Sequence, residues 1–461
     1  MTRLILLCGA LVACHGPAKV TSREAAPPGA AEIVVPRVDN VILVTIDTLR
    51  ADYLGIHGGR ARTPVLDELA RRGWNFDNCY SASMLTNPSH ASIMTSLYPR
   101  DHGVYDNENG INDGVHTLAT AAANAGLRTG AVINFPHLNP EVANLGGFQT
   151  TVRASREERR ASEVVREGLR LIDGFDANER FFVWLHLTDP HSPYEPPADH
   201  PPRAPPGEVR TPLSVAMRAA PGFQRKNAWF RSAFKKYGSV EAVIERYIAE
   251  IEVTDAGIGA LIDGLEQRGL SGRTALVITA DHGENMGEHD LYFHHGGLYR
   301  ETVHVPLIVS LPGSGPVRLG SQVETVDIAP TVLELFDIER WQPMRGRSLI
   351  PTVQGHAAGR DYVYSEHMLG QQVSVRGHDG TLILHQKSTR QFPNYKFIAG
   401  KREVFDRRQD PAEEANLGEG APLAHLLGSA LEGYLARGLK LAARPAVEQD
   451  RESLRALGYI E

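Results

Sequence analysis

With 461 residues, 42% of them hydrophobic, the chain is long enough to bury one large core and a smaller module beside it. A net charge of −7 leaves no basic footprint, which excludes nucleic acid as a partner.

The chain opens with Arg3 and an apolar run from Leu4 to Ala13, too short to span a bilayer as a mature helix. This run ends in Leu11-Val12-Ala13-Cys14, which resembles a bacterial lipobox. The resemblance implies a lipoprotein-type signal peptide over 1–14, cleavage before Cys14 and lipid on its thiol. The alternative is an ordinary signal peptide that contains a cysteine. The protein is then exported to the cell envelope, on the periplasmic or outer-membrane face, and meets the membrane through a lipid anchor only. Residues 15–37, with Gly16-Pro17 and Pro27-Pro28-Gly29, form a flexible tether. Cys8 leaves with the signal and Cys14 is acylated, so only Cys79 remains and no intramolecular disulfide forms. Cys79 is expected to be a packed small residue.

From 38 the character changes. Val41-Ile42-Leu43-Val44-Thr45-Ile46 is a continuous apolar run, followed by others at 130–134, 181–187, 275–280 and 305–310. Continuous rather than alternating hydrophobicity predicts strands buried on both faces. Helical spacing is read over 64–73, 116–126, 157–173 and 241–268. Together they predict an α/β catalytic domain over 38–355, doubly wound around a mainly parallel sheet. Residues 195–240, rich in Pro, Lys and Arg, read as a surface insertion near the active-site edge, either a lid or a solvated excursion. Short alternating stretches at 361–366, 371–376, 380–386 and 395–406, then a helix over 421–437, predict a small antiparallel C-terminal α+β subdomain over 356–461.

In such sheets ligands bind beyond the carboxyl ends of the strands. Asp47, Asp189 and Asp281 each follow an apolar run directly, so three strands deliver acids to one edge. His282 follows Asp281, and Thr86-Asn87-Pro88-Ser89-His90 places a hydroxyl on a Pro-Ser turn. Hard ligands at two strand ends with a nearby hydroxyl point to hydrolysis of an anionic ester.

Taken in order, these segments resemble the sulfatase family of the alkaline phosphatase superfamily. Asn40 to Leu54 resembles its first metal-ligand strand, and Thr86 to Pro99 its signature helix. His186 to Pro196 resembles its substrate-binding histidine loop, and Asp281 to His295 its second ligand cluster. Val404-Phe405-Asp406 and Asp410 to Leu417 resemble its C-terminal strand and loop. The resemblance implies a metal site of Asp47, Asp281 and His282 with Thr86 as fourth ligand. It also implies substrate contacts from Arg50, His186 and Asp189. The departures are specific. The family signature begins with a Cys or Ser oxidised to formylglycine and ends in arginine, whereas this chain has Thr86 and His90. Thr48 stands where many members have a second aspartate, His282 where many have asparagine, and His295 near the usual lysine. These changes bring the site closer to the superfamily's threonine-nucleophile phosphatases, phosphodiesterases and phospho-substituent transferases.

No formylglycine is expected. Hydrated formylglycine has two hydroxyls, one to attack sulfur and one to collapse and expel sulfate; Thr86 has one. A phosphothreonine has no such difficulty, since water can attack phosphorus in line. Threonine needs a cation to stabilise its alkoxide, and a mixed nitrogen and oxygen set suits Zn or Mn better than Ca or Mg. His90, His191 and His295 are the catalytic candidates beside Thr86, with His191 or His295 as general acid. With Asp189 the histidines alternatively hold a second metal. Arg50 alternatively braces the turn after the first strand, Thr86 alternatively caps its helix, and His289 and His294 are expected to be exposed. The chain is therefore read as a metal-dependent hydrolase of sulfate or phosphate esters, acting on a small-molecule, glycan or lipid ester. The alternatives are a transferase to an envelope acceptor or a non-catalytic protein that binds anionic glycans; the Asp47, Asp281, His282 set argues against the last.

Overall fold

A computed structural model describes residues 33–155, 158–207, 210–222, 231–232, 236–389, 395–439, 441 and 443–445. Cys14 and nearly all of the proposed tether lie outside these residues, as do Arg225, Lys226 and Lys235 of the insertion.

The main sheet has eight strands: β1 (Asn40–Ile46), β2 (Trp74–Tyr80), β3 (Arg128–Val132), β4 (Thr150–Val152), β5 (Phe181–Leu187), β6 (Thr274–Ala280), β7 (His304–Ser310) and β8 (Val317–Glu324). Their order across the sheet is β8-β2-β7-β6-β1-β5-β3-β4, with β7 antiparallel to both its neighbours and the other pairs parallel. Every residue of β1, β5 and β6 is buried, as their uninterrupted Val, Ile, Leu and Phe content requires of strands covered on both faces.

Helices α1 (Pro64–Arg72), α2 (Thr86–Thr95), α3 (Leu118–Asn124), α4 (Ala161–Asp173), α5 (Val240–Gln267) and α6 (Ile328–Leu335) flank this sheet. The 28-residue α5 packs on α4 and α1. Among the described residues, no helix is long and apolar enough to cross a membrane. Cys79 is fully buried in β2, a packed small residue as its sequence context predicts.

A second, four-stranded antiparallel sheet follows, β9 (Val363–Glu366), β10 (Gln372–Arg376), β11 (Gly380–His385) and β12 (Arg402–Asp406), covered by α7 (Pro422–Leu435). It lies within the same compact unit as the main sheet, which begins at Ile33. Two hydroxyls tie it to the turn that leads into α2: Ser83 donates to the Glu366 carbonyl at 3.0 Å, and Ser365 donates to the Ser81 carbonyl at 2.6 Å. The smaller sheet thus braces the approach to Thr86.

Candidate active site

β1 and β6 are adjacent and parallel, with Ile46 opposite Ala280, so the next residue of each strand, Asp47 and Asp281, emerges at the same sheet edge. Both are fully buried, and burial raises the pKa of both. For Asp281 the charge of Asp47 adds to this; Asp47 itself is pushed up to about 7. The Asp281 carboxylate is fixed by two amides at Oδ1, from His282 at 2.8 Å and Thr48 at 3.3 Å. Its Oδ2 and both Asp47 oxygens have no well-formed hydrogen bond.

His282 completes a triad with these acids. Its Nδ1 is 3.0 Å from the Gly283 carbonyl, an acceptor, so Nδ1 carries the proton and the Nε2 lone pair is free. Nε2 lies 3.5 Å from Asp281 Oδ2, 3.9 Å from Asp47 Oδ1 and 3.4 Å from Thr86 Oγ1. Thr86 is the first residue of α2 and is 3% exposed; Leu85 occupies the cap position, and no side chain caps the helix. The Thr86 hydroxyl therefore faces the acids and His282 rather than capping. Asp47, Asp281 and His282 offer one ligand atom each, all within 4.8 Å of one another. Orphaned carboxylate oxygens, a free imidazole nitrogen and a hydroxyl at this spacing fit a divalent cation.

The loop after β1 is strained to achieve this. Thr48 has φ +56°, a left-handed conformation rarely adopted by a β-branched residue. The hydroxyl of Tyr247 on α5 holds it, donating to the Thr48 carbonyl at 2.8 Å and accepting the Arg50 amide at 3.1 Å.

The other sequence-predicted residues fall in different places. Arg50 does not face the triad: its guanidinium is ion-paired to Asp52 and Glu288, each at 2.8 Å, and donates to the Glu284 carbonyl. It braces the loop, because Asp52 lies only two residues away on the same turn. Asp189 is buried, faces Arg160 at 3.6 Å and is not grouped with Asp47, Asp281 and His282. His90 sits one helical turn below Thr86, fully buried, with both nitrogens engaged. Nδ1 donates to the Thr86 carbonyl at 2.8 Å, and Nε2 accepts from Thr45 Oγ1 at 2.9 Å, which accepts in turn from Trp184 Nε1 at 2.9 Å. His90 thus holds the backbone of Thr86 and is tied to Thr45 by its other nitrogen. His186 is not in a loop at all but inside β5, buried, with Nε2 3.4 Å from Asp47 Oδ2.

His191 and His295 are partly exposed, their rings 6.3 Å apart, and His295 packs 4.5 Å from the His282 ring. His295 Nδ1 is 3.6 Å from Glu284 Oε1, and Tyr194 donates to Glu284 Oε2 at 3.0 Å. The expected exposure of His289 and His294 is not observed. His294 is buried and stacked on His295, and His289 stacks on Tyr299 with ring centroids 3.5 Å apart. A short hairpin, Asn285–Met286 with Tyr292–His294, folds both inward. Residues unassigned from sequence are Tyr247, Glu284, Tyr194 and the Thr45–Trp184 pair. Only Glu284 carried a signal, its place in the Asp281-His282-Gly283-Glu284 motif.

A family profile described as Sulfatase matches residues 39–338, well over half of the chain. The chain belongs to the sulfatase family. A second profile, N-sulphoglucosamine sulphohydrolase, C-terminal, matches 287–433. An arylsulfatase of Clostridium perfringens is 25% identical over 82% of this chain and 90% of its own length. A solved structure of a protein in complex with its substrate D-glucosamine-2-N,6-O-disulfate aligns with TM-score 0.71 and 21% identity over 87% of this chain and 98% of that one. The phosphonate monoester hydrolase of Agrobacterium radiobacter aligns with TM-score 0.67 and 19% identity over 86% and 95%. The expectations of an α/β sulfatase-like fold and of a sulfatase-family ester hydrolase hold.

Gly283 shows how tightly the sulfatase loop is set. A Cβ there would collide with the Glu301 carbonyl, while the Gly283 amide donates to the Thr302 carbonyl at 2.9 Å. Gly283→Ala is expected to cost about 1–3 kcal/mol in denaturant unfolding and to weaken metal binding. Unchanged values for both would mean that the loop yields freely.

The carboxylates also set a pH dependence. In the metal-free protein, burial is the main cause holding Asp47 near 7 against the usual 3.8. The neutral form therefore contributes stability that is complete below about pH 4 and lost as pH rises through 7. A cation requires the ionised form, so the melting-temperature gain from excess Mn²⁺ should widen between about pH 5 and about pH 8. A gain that is flat or shrinks over this range contradicts the assignment of these acids.

Proposed function

We propose that the protein is a metal-dependent hydrolase of sulfate or phosphate esters in which Thr86 is the nucleophile. The observation that carries this reading is the Thr86 hydroxyl, uncommitted to capping and 3.4 Å from Nε2 of His282, beside the unsatisfied oxygens of Asp47 and Oδ2 of Asp281. Asp47, Asp281 and His282 would hold a divalent cation, whose positive charge would stabilise the threonine alkoxide. Nitrogen and oxygen ligands favour Zn²⁺ or Mn²⁺.

Thr86 Oγ1 loses its proton to water and attacks the sulfur or phosphorus, and the bond to the ester oxygen breaks on the opposite side. Burial lowers His191 to about 3 and His295 to about 4, so the bound anion must first restore the imidazolium, and one of the two then gives that oxygen a proton and regains it from the attacking water. Water then attacks the threonine ester in line and releases the inorganic anion, regenerating the hydroxyl. His90 fixes the attacking residue through its backbone, and the Tyr194–Glu284 pair orients His295. Because Thr86 lacks the second hydroxyl of formylglycine, its ester must be hydrolysed directly, which phosphorus tolerates better than sulfur. The fold likeness to a phosphonate monoester hydrolase and to sulfatases of sulfated sugars is compatible with both. The substrate class is a small-molecule, glycan or lipid ester. The Leu11 to Cys14 motif supports an exported, lipid-anchored form of the enzyme.

Wild type and Thr86→Ala, assayed with aryl sulfate, phosphate monoester and phosphodiester under several metals, test this directly. Phosphoester turnover is expected at least to equal sulfatase turnover, and to fall on the order of a thousandfold or more in the variant. Sulfatase turnover that survives the substitution would show that water attacks instead of Thr86. Cys14→Ala is expected to move the protein from the membrane to the soluble fraction; retention in the membrane fraction would remove the lipid anchor.

A further inference from the structure

The turn that joins β9 to β10 carries a leucine in a backbone conformation that disfavours it. His367 donates its amide to the Gln372 carbonyl at 3.0 Å, and Gln371 donates to the Met368 carbonyl at 3.1 Å. Leu369 and Gly370 are therefore the two central residues of a tight hairpin turn. Their φ values are +53° and +61°, the left-handed pair of a type I′ turn. Such a turn favours Asn, Asp or Gly at its first central position, because a Cβ there crowds the following carbonyl. Leucine stands there instead, and it gains little burial in return, being 47% exposed. Among the described residues it is the only exposed large hydrophobic with a positive φ. A strained backbone and an apolar side chain left in water are two costs that the hairpin itself does not require.

The place of the turn gives a use for both. The Leu369 amide donates to the Tyr105 carbonyl at 3.1 Å, and Lys387 Nζ donates to the Leu369 carbonyl. Tyr105 lies two residues before Asn107, whose side chain accepts the amide of Asn87, the residue after Thr86, at 2.9 Å. On the other side, Nε2 of His367 accepts the Gly297 amide at 3.4 Å, two residues beyond His295. The hairpin is thus bonded to a loop that reaches the start of α2 and to the loop that carries His295. Its tip stands beside the reacting centre, where the alcohol part of an ester lies once the anion is over Thr86. We propose that Leu369 is a specificity-determining residue, the apolar contact for that alcohol, so that the enzyme takes aryl and alkyl esters in preference to esters of hydrophilic sugars. This inference rests on the hydrolase reading given above and narrows its substrate class.

The test uses the full chain supplied with Mn²⁺ and compares phenyl phosphate with glucose 6-phosphate and, in parallel, phenyl sulfate with glucose 6-sulfate. Wild type is expected to have the lower KM for the phenyl ester of each pair. Leu369→Asn, which gives the turn its favoured Asn-Gly pair, is expected to raise the melting temperature. In the same variant the preference for the phenyl ester, read as the ratio of the two KM values, is expected to fall about three- to tenfold. Leu369→Met keeps the apolar contact and is expected to keep the preference. A residue that only supports the fold would give the opposite pattern, a lower melting temperature with an unchanged ratio, and that result overturns the proposal. Wild type alone supplies a second measurement: KM is expected to fall along methyl, propyl and pentyl phosphate, and a flat series overturns the proposal whatever the variants do. In both of these failures turnover persists and the hydrolase reading stands. A wild type that hydrolyses none of these esters overturns that reading together with this one.

Discussion

Two buried aspartates at neighbouring strand ends are the constraint around which this molecule is arranged. Parallel pairing of β1 with β6 places Asp47 beside Asp281 at no exposure, and two ionised carboxylates cannot share such a place unaided. Their repulsion requires a compensating charge, and much of the nearby structure holds them together until it arrives. Tyr247 clamps the left-handed Thr48, and the Ser89 hydroxyl donates to the Asp281 carbonyl at 2.7 Å. The C-terminal sheet reaches across to anchor the turn before α2.

Two positively charged or chargeable residues, Arg50 and His90, are held by the scaffold around Thr86 and the aspartates. The Arg50 guanidinium is taken up by Asp52 and Glu288, and the His90 ring by Thr86 and Thr45.

The strands buried on both faces were legible because their hydrophobicity is unbroken: 181–187 matches Phe181–Leu187, and the long helix 241–268 matches Val240–Gln267 within a residue. β2 and β8 were not read as strands. Trp74 to Tyr80 is interrupted by Asn and Asp, and Val317 to Glu324 begins at an exposed sheet edge, where alternation with Arg, Gly and Ser hides the period. Convergence of Asp47, Thr86, Asp281 and His282 could be read from strand ends and motif order. Arg50 took the bracing role of its alternative reading, while the directions of His90 and His186 could not be read, since they depend on partners distant in the chain, Thr45 and Asp47. The inward fold of His294 was hidden for a similar reason, because a hairpin of only a few residues turns it under the rim.

The two amide bonds to Asp281 Oδ1 have a consequence for ion size. With one oxygen already occupied by backbone, this aspartate can grip a cation with a single tooth only. Two-toothed carboxylate binding, frequent around large ions of high coordination number, would need both oxygens free. The pair of peptide groups thus decides which side of this carboxylate remains open.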